Sequence, residues 1–273
     1  MNHYPVQTLS HLYTTGVVWI ILAILVVETR AAEPLTLEQV VDSIANEAVE
    51  SGSTPGVSVG IADGDEILLA KGYGLADVEL SVPASEKTVY RIGSITKQFT
   101  AAAILFLAEE GALALDDPIT DFLPDYPTHG HTVTVRHLLN HTSGIKSFTS
   151  MPSYRKEMRK DVSHDEIIDR FKDVPPDFAP GEDFRYCNSG YYLLGVILEQ
   201  TSGESYADFL RQRLFRPLAL DSTYYDTRAQ IMPNRARGYS RTRKGLSNAP
   251  YLSMTQPFAA GALASTVEDL ITW

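Results

Sequence analysis

The sequence holds a single cysteine, Cys187, among its 273 residues. One thiol excludes an internal disulfide and a cysteine-built zinc site, and its position excludes lipid attachment near the N-terminus. Positive charge is also scarce: 23 Lys and Arg face 34 Asp and Glu, a formal charge of −11. Nucleic acid and anionic membrane surfaces require basic patches, so neither is an expected partner. No apolar run reaches the ~20 residues that span a bilayer as a helix. G-x-G-x-x-G and P-loop patterns are missing, so no nucleotide cofactor is suggested. We read no nucleophile elbow of the G-x-S-x-G kind, which disfavours an α/β-hydrolase. Internal repeats and low-complexity linkers are absent as well.

What is present suffices for a core. Hydrophobic residues make up 44% of the chain and charged residues 21%, which argues for a folded domain and against disorder. The apolar run Gly16 to Val27 has the length of a signal-peptide core, and Ala31-Ala32 precedes Glu33. Residues 1–32 are therefore read as a signal peptide, and the product as secreted or periplasmic. The alternative is a membrane anchor through residues 16–27, because no Lys or Arg precedes Gly16 and Arg30 interrupts the small-residue cleavage site.

Residues 33–92 read as a helix followed by a hairpin. Thr36-Leu37-Glu38-Gln39 is a capping box opening a helix that runs to Gly52. Val57, Val59 and Ile61 alternate before Asp63-Gly64-Asp65, and Ile67 to Tyr73 has strand-like composition. Residues 93–260 look overwhelmingly helical. Helices are expected at Ser94 to Glu110, Thr134 to Asn140, Ser163 to Phe171, Ser189 to Thr201 and Ser205 to Leu214. Tyr239 to Tyr251 reads as polar and irregular, and Ser265-Thr266-Val267-Glu268 as a capping box starting a last helix within 261–273.

Two stretches could carry chemistry. Ser94-Ile95-Thr96-Lys97 places a hydroxyl and an amine three residues apart at a helix start, where they share a face. A serine hydroxyl becomes a nucleophile when a neighbour takes its proton. The alternative is a Ser94 N-cap with Lys97 in solvent. In Tyr186-Cys187-Asn188 the outer residues point the same way if the loop is extended, so a phenol and an amide could face one cleft. The alternative is a packed aromatic, with Asn188 as N-cap of the next helix. His129-Gly130-His131, His137 and His141 lack a carboxylate or cysteine partner in a defined element, so no metal site is expected; His137 and His141 read as hydrogen-bonding residues of a structured turn.

Together these stretches resemble the serine β-lactamase-related family, which includes class C β-lactamases, D-alanyl-D-alanine carboxypeptidases, D-aminopeptidases and esterases. The resemblance runs from about Leu35 to Trp273. It is carried by Tyr90 to Thr100, Leu115 to Ile119, Arg136 to Gly144, Tyr186 to Tyr191 and Gly261 to Leu270. It implies a β-lactamase/transpeptidase-like α/β (α+β) fold, with an antiparallel sheet and an all-helical lobe. It further implies Ser94 as acylated nucleophile, Lys97 as its activating partner, Tyr186 as general base and acid, and Asn188 as a substrate-orienting amide. His137, His141 and Gly144 would be architectural. Cys187 departs from the serine or alanine of the pattern and is expected to point away from the cleft, inert.

A third family element, Lys-Thr-Gly or His-x-Gly on a strand beyond the late helix, has no counterpart here. After Asn188 the only lysine is Lys244, and no histidine follows His164. The sheet is thus expected to be incomplete, and the domain 33–273 to be truncated at its C-terminus, unless Arg237 to Tyr251 supplies the strand. The function implied is an exported serine hydrolase cleaving amide, β-lactam or ester bonds through an acyl-serine. Its substrate would be a small molecule or peptide, with no cofactor and no obligate protein partner. The competing reading is a non-catalytic binding or scaffold relative of the same family.

Overall fold

Residues 34–273 are described by the computed structural model; the expected leader, residues 1–32, lies outside them. Helix α1 (Leu37–Glu50) lays its half-polar face on the hairpin that follows. There Asp42 accepts from Lys71 Nζ at 2.7 Å and from the Tyr73 hydroxyl at 2.6 Å, and Glu38 accepts from Lys71 at 2.8 Å. The alternation of Val57, Val59 and Ile61 forms strand β1 (Gly56–Asp63), paired antiparallel with β2 (Glu66–Asp77) from Gly56↔Gly74 to Asp63↔Glu66. Gly64, at φ +56°, takes the left-handed backbone that the connecting turn requires. A short third strand, β3 (Val82–Pro83), joins β2 on its other side. The chain then passes so close that a Cβ on Gly72 would lie 2.3 Å from the backbone of Ala84 and Ser85. Only glycine fits under that crossing.

The next elements build the helical lobe. After the strand β4 (Tyr90–Arg91) they are α2 (Thr96–Glu109), α3 (Val135–Leu139), α4 (Tyr154–Glu157), α5 (His164–Ile168), α6 (Asn188–Ser202) and α7 (Tyr206–Leu210). Residues Ser189 to Leu198 of α6 are all buried, so this helix is the axis of the lobe rather than an amphipathic cover. Phe99, Ala103, Ile104 and Leu107 of α2 join it in one cluster with Leu138, Phe148, Ile167, Phe171 and Phe209. Removing one such leucine typically costs about 2–5 kcal/mol. Gly203, at φ +70°, closes α6 as the sequence foretells. The expected Ser163 box is present, its hydroxyl accepting from Glu166 N and its own N–H donating to the Glu166 carboxylate.

Late strands organise the site. In chain order they are β5 (Tyr224–Tyr225), β6 (Tyr239–Thr242), β7 (Gly245–Asn248) and β8 (Leu263–Ser265), followed by α8 (Val267–Thr272). Strand β8 lies between β4 and β5, pairing Arg91↔Ala264 and Tyr224↔Ala264. Two expectations are corrected here. Tyr239 to Tyr251 is not irregular: β6 and β7 form a separate two-stranded hairpin, which does not extend the main sheet. It docks beside β2, where Arg237 N donates to Ala76 O at 2.8 Å and Val78 N to the Tyr239 hydroxyl at 2.8 Å. Among the described residues β1 therefore keeps an edge without a strand partner. The last capping residue is Thr266 rather than Ser265, whose hydroxyl is engaged with Thr223 at 2.8 Å. Helix α8 packs on β1 at Gly60, where a Cβ would meet Ile271 Cδ1 at 2.8 Å.

Candidate functional site

The four residues singled out in the sequence converge. Ile92 N donates to Leu263 O at 3.0 Å, which locks β4 to β8 immediately before the Ser94 turn. Gly93, at φ +52°, turns the chain into a single 3₁₀ turn, Gly93–Ile95, that runs into α2. Ser94 is exposed in that turn, and its side chain caps no helix. Lys97 is only 6% exposed. Neither the N-cap reading of Ser94 nor the solvated reading of Lys97 describes the structure.

Lys97 Nζ donates to Ala260 O at 2.7 Å and to Asn188 Oδ1 at 2.8 Å, with Ser94 Oγ at 3.3 Å. It also lies 4.7 Å from the centre of the Tyr186 ring and 5.5 Å from that of Tyr191. Burial pulls its pKa down to about 8. The Tyr186 hydroxyl donates to Ser94 Oγ at 2.7 Å, and the side chain is 45% exposed. Ser94 thus sits between a phenol and a buried amine.

The loop that presents Tyr186 and Asn188 is fixed from behind. Cys187, not Asn188, is the N-cap of α6: its buried sulfur accepts from Gly190 N at 3.4 Å and donates to Ile145 O at 3.1 Å. Burial pushes this thiol up, which disfavours the reactive thiolate, and the sulfur's two hydrogen bonds turn it inward. With Cys187 turned inward, its two neighbours project together toward Ser94 and Lys97. The ring of His141 supports Tyr186 at 4.6 Å and Tyr191 at 5.0 Å, while its Nδ1 accepts from Cys187 N at 3.1 Å. Burial, then the nearby Lys97, hold this imidazole below its usual pKa, consistent with a neutral ring accepting at Nδ1. His137 closes the capping box of α3 with Thr134, and His129 bonds Lys172 O at 3.0 Å.

Several participants are invisible to sequence reasoning. The Ala260 carbonyl is a backbone group on a stretch readable only as the approach to a late helix. Thr149 Oγ1 accepts from Asn188 Nδ2 at 2.9 Å, and Ser147 Oγ accepts from Asn188 N at 3.2 Å. Thr149 thereby sets the amide so that its oxygen faces Lys97. Conversely, the string Gly56-Val57-Ser58-Val59-Gly60 does spell G-x-S-x-G, which the sequence reading passes over. It lies within β1, with Ser58 Oγ donating to Ser85 O at 2.7 Å, and no helix follows it as an elbow would require.

Comparison with known proteins agrees with this geometry. The chain is 33% identical over 244 residues to Protein flp of Staphylococcus aureus (strain NCTC 8325 / PS 47), covering 86% of this chain and 48% of that one. It is 34% identical over 181 residues to Penicillin-binding protein 4* of Bacillus subtilis (strain 168), covering 66% of this chain and 40% of that one. The chain thus spans about half the length, or less, of these curated relatives. Among solved structures, the octameric penicillin-binding protein homologue from Pyrococcus abyssi superposes with a TM-score of 0.78 at 34% identity, over 87% of this chain and 55% of that one. The D-amino acid amidase from Ochrobactrum anthropi SV3 gives 0.76 at 30%, over 86% and 70%. The mixed α/β architecture with antiparallel sheets is the β-lactamase/transpeptidase-like fold. The Beta-lactamase family matches residues 41–273, and this chain belongs to that family.

Proposed function

We propose that the chain is a serine hydrolase in which Ser94 is acylated by an amide, β-lactam or ester substrate. The observation that carries this reading is the placement of the exposed Ser94, its Oγ 2.7 Å from the Tyr186 hydroxyl and 3.3 Å from Lys97 Nζ. As Ser94 Oγ bonds to the substrate carbonyl carbon, its proton passes to the Lys97–Tyr186 pair. The same pair returns one proton to the leaving amine or alcohol, so its protonation is restored when the leaving group departs. Water then repeats the sequence on the acyl-serine and releases the acid. Asn188 holds Lys97 in reach and offers its amide to the substrate. The N-terminal end of α2 favours negative charge developing at this point. The names of the relatives, a penicillin-binding protein and a D-amino acid amidase, support acyl transfer from amide-like substrates.

Export through residues 1–32 belongs to the same proposal, supported by the apolar run Gly16 to Val27. Among the described residues no helix is long and apolar enough to cross a membrane. The test of the chemistry is intact-mass spectrometry after incubation with a fluorophosphonate and with a β-lactam. A single adduct is expected, mapped to Ser94, retained in Ser143→Ala, Ser189→Ala and Cys187→Ala and lost in Ser94→Ala. Labelling that survives in folded Ser94→Ala ends the assignment, and no labelling of the folded native chain leaves the non-catalytic reading in its place.

A further inference from the structure

We propose that a second groove, formed by β2, β4 and the β6–β7 hairpin, is a binding site for a small ligand bearing a carboxylate or phosphate group. Asp226 is buried at 1% exposure, and its Oδ2 accepts from Arg91 Nε at 2.6 Å and from Arg235 Nη2 at 2.8 Å. One carboxylate oxygen thus holds two guanidiniums side by side, and the triad keeps a net positive charge. Both arginines remain more than a third exposed and line a groove of about 560 Å³ together with Arg237. Arg237 is half exposed, and its ion pair with Glu79 is long at 3.7 Å. The one acid lining the groove, Asp77, already caps Leu80 N at 2.9 Å.

Arg91, Arg235 and Arg237 turn toward one groove while Arg91 and Arg235 share a single carboxylate oxygen of Asp226 and Arg237 is only loosely paired with Glu79, which leaves several guanidinium N–H donors available there. Guanidiniums forced together repel one another, and an oxyanion placed between them relieves that repulsion while accepting paired N–H bonds from their remaining donors. Tyr90 and Tyr251 form the walls beside them, surfaces on which the planar or apolar remainder of a small ligand can lie. The site uses none of Ser94, Lys97, Tyr186 or Asn188, so it stands or falls separately from the proposed chemistry.

The experiment is thermal unfolding of the purified chain titrated with inorganic phosphate, with citrate and with sodium chloride at matched ionic strength. A saturable rise in melting temperature with phosphate, with citrate or with both, exceeding that in chloride, is expected, and the more effective anion identifies the ligand's head group. Arg237→Gln should remove most of that rise and Arg235→Gln nearly all of it. Arg237→Gln is safe for folding because its side chain is exposed and weakly paired. In parallel, fluorophosphonate labelling should proceed at the native rate in Arg237→Gln. No anion-specific rise, or an equal rise in native and variant chains, overturns the proposal and leaves the Asp226 triad as a purely structural clamp.

Discussion

Replacing Asn188 by aspartate tests whether the protonation of Lys97 controls the proposed chemistry. The amide oxygen of Asn188 lies 2.8 Å from Lys97 Nζ, so Asn188→Asp puts a carboxylate where a neutral acceptor stood. Thr149 Oγ1, which now accepts from the amide nitrogen, can rotate its own proton toward the new carboxylate, so the substitution does not orphan a buried group. Native Lys97 titrates near 8 because it is buried. Roughly a tenth of the amine is therefore neutral at pH 7 and able to take the Ser94 proton. An adjacent opposite charge typically raises a lysine by about 1–3 pH units, each of which removes tenfold of the neutral amine at neutral pH. Labelling at pH 7 is thus expected to fall ~10- to 1000-fold and to recover as pH rises, the midpoint moving upward from about 8. The assay is the rate of fluorophosphonate labelling across pH 6 to about 10.5 at constant ionic strength. A slower rate with an unmoved midpoint would refute the reasoning, since Asn188 would then act on the substrate alone.

Tyr186→Phe keeps the half-exposed ring on His141 and removes the hydroxyl 2.7 Å from Ser94 Oγ. Turnover is expected to drop ~10²–10⁴-fold with little change in melting temperature, and a variant that unfolds while keeping specific activity would restore the packed-aromatic reading. At Gly195 a Cβ would lie 2.4 Å from both Ala259 Cβ and Phe258 Cε1. Gly195→Ala should destabilise by about 1–3 kcal/mol and slow labelling by displacing the Ala260 carbonyl from Lys97; an unchanged melt would show that the segment yields freely. A polypeptide of residues 33–273 presents the unpartnered edge of β1 and is expected to self-associate with concentration, as read by light scattering. If the leader directs export, the extracellular protein should begin near Glu33 by mass spectrometry, and residues 1–32 retained in a membrane fraction would favour the anchor.

The parts of the site that sequence could reveal are those set by local geometry. Ser94 and Lys97 are one helical turn apart, and Tyr186 and Asn188 are alternate residues of an extended loop, so residue spacing alone fixes which side chains share a face. The β1–β2 hairpin was legible for the same reason, through alternation over several residues and a glycine turn. Strands β4, β5 and β8 are only two or three residues long, too short for any alternation to register, yet they tie Ile92, just before the Ser94 turn, to Leu263, just after Ala260. The β6–β7 hairpin escaped because nearly all of it is exposed, and a strand with no buried face has no hydrophobic pattern to read. The alternative reading of Asn188 as N-cap of α6 fails because Cys187 takes that place, its sulfur turned inward to accept from Gly190 N and donate to Ile145 O. That inward turn is what frees Asn188 to reach Lys97. The proposed chemistry thus rests on a cysteine taking the cap position, anchored by a hydrogen bond to a residue more than forty positions away in sequence.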